Sequence, residues 1–336
     1  MTSSTTSRHL SMNEAEALCV RAAMACGASR ETAVALARSA VAAEAEGMPN
    51  VGLAHFIDYL EALKAGRIKG DAAPDISRPA PAVILSDAKG GAAHTGFDRA
   101  FGDIVETARQ FGLSLFSQRG AYTCGSLGYF AFRLADEGLV AFAATNGPAL
   151  LAGSGGRSRV FCTNPMAFAA PQAGGPPLLI DQASSATAFV SIRKAAAEGR
   201  PLPEGWALDA EGNPTTDAKA ALDGVLVAFG GERGANIALM VEVLAAGLSG
   251  ANWSLDAPPF NKGGESPATG LFVLAIAPTL FAPDFAERMR VQLERLAVDH
   301  SVHIPGLGKG DARSRARKEG IRVAGGILAE IESFSR

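Results

Sequence analysis

The stretch of this 336-residue chain best suited to chemistry is a glycine turn, Gly230-Gly231-Glu232-Arg233-Gly234. Val225 to Phe229, an apolar run rich in strand formers, precedes it, and Ile237, Met240, Val241, Leu244 and Leu248 follow at helical spacing. A strand, a tight turn that permits positive φ and an amphipathic helix are therefore expected in succession. The free amides of that helix start, with Arg233 beside them, suit an anion such as the phosphates of a cofactor. A purely structural glycine turn capping a core helix is the competing reading. His300 and His303 form an H-x-x-H pair with no third ligand nearby, so no metal site is expected. Cys124 lacks a basic neighbour to activate it, and Cys19, Cys26 and Cys162 complete no C-x-x-C pair, so all four read as reduced thiols. His94, among glycine and alanine, has no readable partner.

The elements that must position such groups read as α/β. Helices are expected over 11–26 and 29–46, with Ser29 as a cap and Gly27 as a stop, and again over 51–64. Residues 71–81 read as a proline-bearing connection, followed by a strand at 82–86, a helix through Phe101, Ile104, Val105 and Ala108, and a strand at 113–117. A helix through Leu127, Phe130, Ala131 and Leu134 leads into short apolar runs at 139–144, 159–162, 167–170 and 178–180, which suggest a multi-stranded sheet. Residues 201–216 read as an exposed loop, 271–276 as a strand, and Phe285, Met289, Leu293 and Leu296 as one face of a late helix. A glycine-rich loop at 303–310 precedes a basic final helix. Gly153-Ser154-Gly155-Gly156 leads into a strand-like stretch rather than a helix, so a Rossmann fingerprint is absent.

The composition is that of an ordered globule: 48% hydrophobic, 19% charged, net charge −3. The length allows one large domain or two or three smaller ones. No basic stripe is present to follow a phosphodiester backbone, so nucleic acid is not an expected partner. MTSSTTSRH has no apolar leader and no run is long enough to span a bilayer, so a cytoplasmic protein without membrane attachment is expected.

Taken together, GSLGY (125–129), TNGP (145–148), TNPMAFAAP (163–171), DQASS (181–185), EGWALDAEGNPTT (204–216) and the 230–248 turn and helix make the chain resemble the malate/L-lactate dehydrogenase family of NAD(P)-dependent oxidoreductases. Matching stretches run over roughly 10–330. The resemblance implies an α/β fold with a non-Rossmann NAD(P)-binding domain on a largely antiparallel sheet, a substrate domain and helices from both termini. It divides the chain into a helical part (1–75), a substrate and dimer domain (76–120 with 290–336) and a cofactor domain (121–289). A homodimer with a small-molecule carboxylate substrate and NADPH or NADH is implied. The cofactor contacts carried over are Thr145, Asn146, Asp181, Ser184, Ser185, Thr187, Glu232, Arg233, Gly234, Pro305, Gly306 and Leu307.

The chain departs from the family where acid–base chemistry is usually done. The family's Ser-His-Gly-Val-x-Arg segment reads Asn50-Val51-Gly52-Leu53-Ala54-His55, and a second frequent histidine is Thr123. Both usual proton-donating histidines are thus missing, and His55 stands where an arginine usually meets the substrate carboxylate. One turn of helix is expected to put Val51 and His55 on one face. Reduction of a ketone leaves an alkoxide, for which a placed acid is worth about 10²–10⁴ in rate. A protonated cyclic imine becomes a neutral amine without one. The expected reaction is therefore reduction of Δ1-pyrroline-2-carboxylate or Δ1-piperideine-2-carboxylate to L-proline or L-pipecolate. The alternatives are a 2-hydroxy/2-oxo acid dehydrogenase and a repurposed nucleotide- or carboxylate-binding protein. Catalytic candidates are His55, Asp181, Thr123 and Tyr122, and substrate contacts Asn50, His55 and Arg119. His55 reads either as a cation or as a proton relay, or as an unengaged surface histidine. Asp181 reads either as stabilising an iminium or as capping a turn.

Overall fold

A computed structural model describes residues 7–335. The first six residues of MTSSTTSRH, on which the reading of a missing leader partly rests, lie outside them. The chain starts with strand β1 (Arg8–Leu10) and helices α1 (Met12–Ala25), α2 (Arg30–Ala45) and α3 (Leu53–Lys64). Ser11 caps α1 in a capping box with Glu14, and Ser29 caps α2 through the Thr32 amide; such caps contribute about 0.5–2 kcal/mol each. Then come β2 (Asp75–Ala80), β3 (Val83–Asp87), α4 (Ala93–Phe111), β4 (Leu113–Ala121), α5 (Gly128–Asp136), β5 (Val140–Thr145), β6 (Leu151–Ala152), β7 (Arg159–Phe161), β8 (Met166–Ala170) and β9 (Leu178–Gln182). The remainder is α6 (Phe189–Ala197), β10 (Ala207–Leu208), β11 (Pro214–Thr215), α7 (Ala218–Asp223), β12 (Val225–Leu226), α8 (Glu232–Glu242), β13 (Thr269–Ile276), α9 (Phe285–Val298), α10 (Leu307–Glu319), β14 (Ile321–Val323) and α11 (Gly325–Ser333).

Seven strands form the central mixed sheet in the order β2-β3-β4-β13-β5-β8-β9, and only the β3–β4 pair is parallel. The sheet is continuous across residue 120. Its core face packs Phe97 and Ile104 of α4 and Phe130 and Leu134 of α5 on Phe116 and Val273. Phe97 makes edge-to-face pairs with Phe130 at 5.0 Å and Phe116 at 5.9 Å. A smaller five-stranded sheet, β11-β10-β12-β6-β7, packs Leu151 and Leu226 against Ile192 of α6 and Ala238 of α8. In a third group β1 pairs with β14, and helices from both ends of the chain share one core through Leu36, Phe56, Leu60, Ala316, Leu328 and Ile331.

Three local expectations are corrected. Residues 71–81 contain β2, whose side chains are all exposed; an edge strand with no buried face shows no alternation, and Pro79 is tolerated at a register shift on that edge. The 201–216 loop holds the two-residue strands β10 and β11. The basic helix α10 already begins at Leu307 and is followed by β14 and α11, so it is not the final helix.

Candidate active site

The first group of candidate residues sits where α3 meets the end of β4. Asn50 is exposed in a 3₁₀ turn, Pro49–Val51, and Gly52 separates that turn from α3. The Leu53 amide donates to Oε2 of Glu44 at 2.9 Å, and a Cβ on Gly52 would lie 2.5 Å from that oxygen. The helix therefore starts at Leu53, so Val51 and His55 do not share one face of a continuous helix, contrary to expectation. His55 lies on the first turn, its Nδ1 2.8 Å from Oδ2 of Asp58 and its ring edge-on to Tyr59 at 4.7 Å.

Tyr59, which the sequence presents as an ordinary core position of α3, is central to this group. Thr123 donates to its phenol oxygen at 3.5 Å, and its ring lies 6.1 Å from His94 and 6.3 Å from Tyr122. Burial pushes the Tyr59 phenol well above its ordinary range. His94 is fully buried and stacks on Phe130 at 5.2 Å, with neither ring nitrogen hydrogen-bonded. Burial first, then the charges of His55 and Arg133, push it down to about 3, so it is a neutral imidazole. Cys124 places its Sγ 3.3 Å from Oγ1 of Thr145, and burial pushes its thiol up to about 12. Arg119 does not join this group: it is paired with Asp87 at 2.9 Å and half-exposed.

Asp181 projects from β9 to the start of α5, where its Oδ2 accepts from the Gly128 amide at 2.8 Å and the Ser126 hydroxyl at 3.3 Å. Burial raises its pKa, opposed by the Gly128 amide, by Lys309 on the first turn of α10 and by Ser126. Pro305 accepts from the Leu179 amide at 3.3 Å, and Gly306 at φ +89° has no room for a Cβ, which would sit 2.6 Å from that same nitrogen. The Pro305–Gly306–Leu307 turn is thereby fixed on β9 two residues from Asp181.

The segment after β9 runs beside the glycine turn. The Phe229 amide donates to Ser184, the Ala186 amide to Val227, and Ser185 bridges Ala228. Thr145, Asn146, Ser184 and Ser185 spend their side chains on backbone: Thr145 on Gly270 at 2.6 Å, Asn146 on Asn252 and Gly270, Ser184 on Asn164, and Ser185 on Thr187. A Cβ on Gly234 would lie 2.0 Å from the Phe229 carbonyl, so the first turn of α8 needs glycine there. Gly230 and Gly231 adopt φ +59° and +65°, and a Cβ on either meets open space. A cavity of about 300 Å³ adjoins Gly231, lined also by the 153–157 turn, Ala228, Glu232 and Ala235. Open glycines, a helix start with Glu232 and Arg233, and a cavity of this size fit the phosphate-bearing part of a dinucleotide.

The description of one family, malate/L-lactate dehydrogenase, covers residues 10–332 through its sequence model. The chain belongs to this family. Within it, the chain is 36% identical over 330 residues, 98% of either protein, to a (2R)-3-sulfolactate dehydrogenase (NADP(+)) of Chromohalobacter salexigens. It is 32% identical, over 96% of this chain and 98% of the relative, to the Delta(1)-pyrroline-2-carboxylate/Delta(1)-piperideine-2-carboxylate reductase of Pseudomonas aeruginosa. The crystal structure of the delta1-piperideine-2-carboxylate reductase from Pseudomonas syringae pvar. tomato superimposes with a TM-score of 0.93 over 97% of this chain and 99% of that one, at 32% identity. Against the family pattern, Tyr59 and His94 are what sequence reasoning missed. Tyr59 is four residues beyond His55 on the same helix, and that spacing was the available signal.

Proposed function

We propose that this family member is an NAD(P)H-dependent reductase of a cyclic imino acid, Δ1-pyrroline-2-carboxylate or Δ1-piperideine-2-carboxylate, forming L-proline or L-pipecolate. The observation that carries the reading is the pairing of missing acids with unsuitable replacements. Positions 51 and 123 hold valine and threonine, His94 is buried and neutral, and His55 is tied to Asp58. A substrate whose nitrogen arrives protonated needs no acid at the hydride step. The imino acid reductases among the relatives support the same choice.

When bound, NAD(P)H supplies the hydride to the C=N carbon. We assign the cofactor to a non-Rossmann site made by Gly230, Gly231, Glu232 and Arg233, the Asp181–Thr187 stretch, Thr145-Asn146 and the Pro305–Gly306–Leu307 turn. Asp181 faces the cationic C=N as a counter-charge, with Ser126 and Gly128 fixing its orientation. Tyr122 and Thr123 position the ring. Most of this cofactor site is assigned to residues 121–289, which share the central sheet with β2, β3 and β4 rather than standing apart from them, and the working unit to a cytoplasmic homodimer in proline or pipecolate metabolism.

A second reading, a 2-hydroxy/2-oxo acid dehydrogenase, is favoured by the relative at 36% identity and by the Tyr59–Thr123 hydroxyl pair, which supplies a proton path to an alkoxide. The two readings separate on initial rates of NADPH and NADH oxidation with both imines beside pyruvate, oxaloacetate and sulfopyruvate. Turnover of imines at least 100-fold above that of ketones is the expected result; faster ketone reduction transfers the assignment to the second reading.

A further inference from the structure

Arg67, in the turn after α3, is nine-tenths buried, and among the described residues no carboxylate lies within 4 Å of its guanidinium. Its Nη1 donates to the Gly263 carbonyl at a long 3.3 Å, and its Nε is buried with no partner. It also meets the phenol of Tyr122, a candidate substrate contact, whose hydroxyl donates to the Phe260 carbonyl at 2.9 Å. A guanidinium carries five donors in a planar fork suited to a carboxylate, and a buried unpaired one is costly. The other arginine buried to this degree, Arg313, has its carboxylate in Glu46.

His55 is poorly equipped to replace the arginine of its family position. Its Nδ1 is taken by Asp58, so a protonated His55 is already neutralised by its neighbour. We infer that Arg67, acting with Tyr122, binds the carboxylate of the substrate in this chain. The cation has moved from the first turn of α3 to the turn beyond its end. This inference rests on the reading of a carboxylate substrate. The carbonyls of Phe260 and Gly263 accept from Tyr122 and Arg67, so the 260–263 segment adjoins the subsite, and the burial of Arg67 strengthens an ion pair formed there.

The test uses the full-length protein loaded with NADPH and titrated calorimetrically with pyrrole-2-carboxylate, a planar analogue of the imino acid, and with pyrrole-2-carboxamide. Wild type is expected to prefer the acid by about 100-fold, and Arg67→Gln to lose that preference, with NADPH affinity unchanged. Arg67→Lys, which keeps charge but not the fork, is expected between the two. KM for the imine should rise by about the same factor, with kcat within about threefold. A merely structural tie to Gly263 would lower the melting temperature without changing the acid-to-amide ratio. An unchanged ratio in Arg67→Gln overturns the inference while leaving the imine reading intact. If wild type reduces 2-oxo acids instead, the imine reading falls, and Arg67 is judged on the KM for pyruvate: a rise of about 100-fold upholds it and an unchanged value removes it.

Discussion

The hydroxyls of Tyr59 and Thr123, one from α3 and one just after β4, approach to 3.5 Å, with Thr123 donating. That leaves the Tyr59 proton free for another acceptor. Under the imine reading this proton is not required for hydride transfer. Tyr59→Phe is therefore expected to keep imine reduction within about threefold while lowering any residual 2-oxo acid reduction by about 10²-fold. Parallel kinetics on the two substrate classes check it, and an equal loss on both would place Tyr59 in the imine step as well.

Gly125 controls the position of that phenol. It adopts φ +58°, and a Cβ there would sit 2.6 Å from the Tyr59 oxygen. Gly125→Ala combines backbone strain of order 1–3 kcal/mol with displacement of Tyr59. A melting temperature several degrees lower is expected, together with a raised KM. Thermal melts and steady-state kinetics on one preparation test both.

His94 predicts a pH dependence of stability. Its folded-state pKa is pushed down to about 3, against about 6.5 for an unfolded histidine. The neutral ring is favoured by the fold, so its contribution is complete above about pH 6.5. It is lost as the pH falls from there toward 3, at about 1.4 kcal/mol per pH unit. His94→Gln is expected to flatten this slope between pH 6.5 and 4.5, whatever offset it adds at pH 7. Urea unfolding of both proteins across that range is the measurement.

Much of the frame was legible because it is written locally. Ser29 announces α2 by capping chemistry, and Phe101, Ile104 and Val105 announce α4 by periodicity. Strand β2 was not, because an edge strand with every side chain exposed carries no alternating signal. The region around His55 and Asp181 could be found through family resemblance. Spacing from His55 was the one signal for Tyr59, and Arg67 and His94 carried none, since the significance of all three comes from partners 36 or more residues away, just after β4, in α5 or in the 260–263 segment. A buried tyrosine on an apolar helix face and a core histidine look alike in sequence whether or not they adjoin a site.

The link between the two ends of the chain gives a stability prediction. Arg313 of α10 is buried against Glu46, which follows α2, and its guanidinium lies 3.3 Å from the centre of the Phe132 ring. Removing one member strands the other charge, so Arg313→Met is expected to cost about 3–5 kcal/mol. The double variant Glu46→Leu/Arg313→Met should recover most of it. Chemical unfolding of the single and double variants decides whether the pair or its packing carries the effect.

The last prediction concerns the glycine turn before α8. Gly230 and Gly231 leave the helix start uncovered, and Arg233 stands on its first turn with no carboxylate held in an ion pair among the described residues. A cofactor phosphate seated there would meet free amides, the positive end of the helix and this cation together. Arg233→Glu reverses the charge without touching the backbone. It is expected to weaken NADPH binding by about 10–100-fold, and the wild-type advantage should shrink as salt rises, because an exposed contact is screened. Gly231→Ala, which must hold φ +65°, should weaken binding at every ionic strength, since its fault is geometry rather than charge. Fluorescence titration of NADPH from about 0.02 to 0.5 M salt separates the two. A structural turn with no ligand would leave both affinities at the wild-type value, and that outcome would remove this turn from the cofactor site.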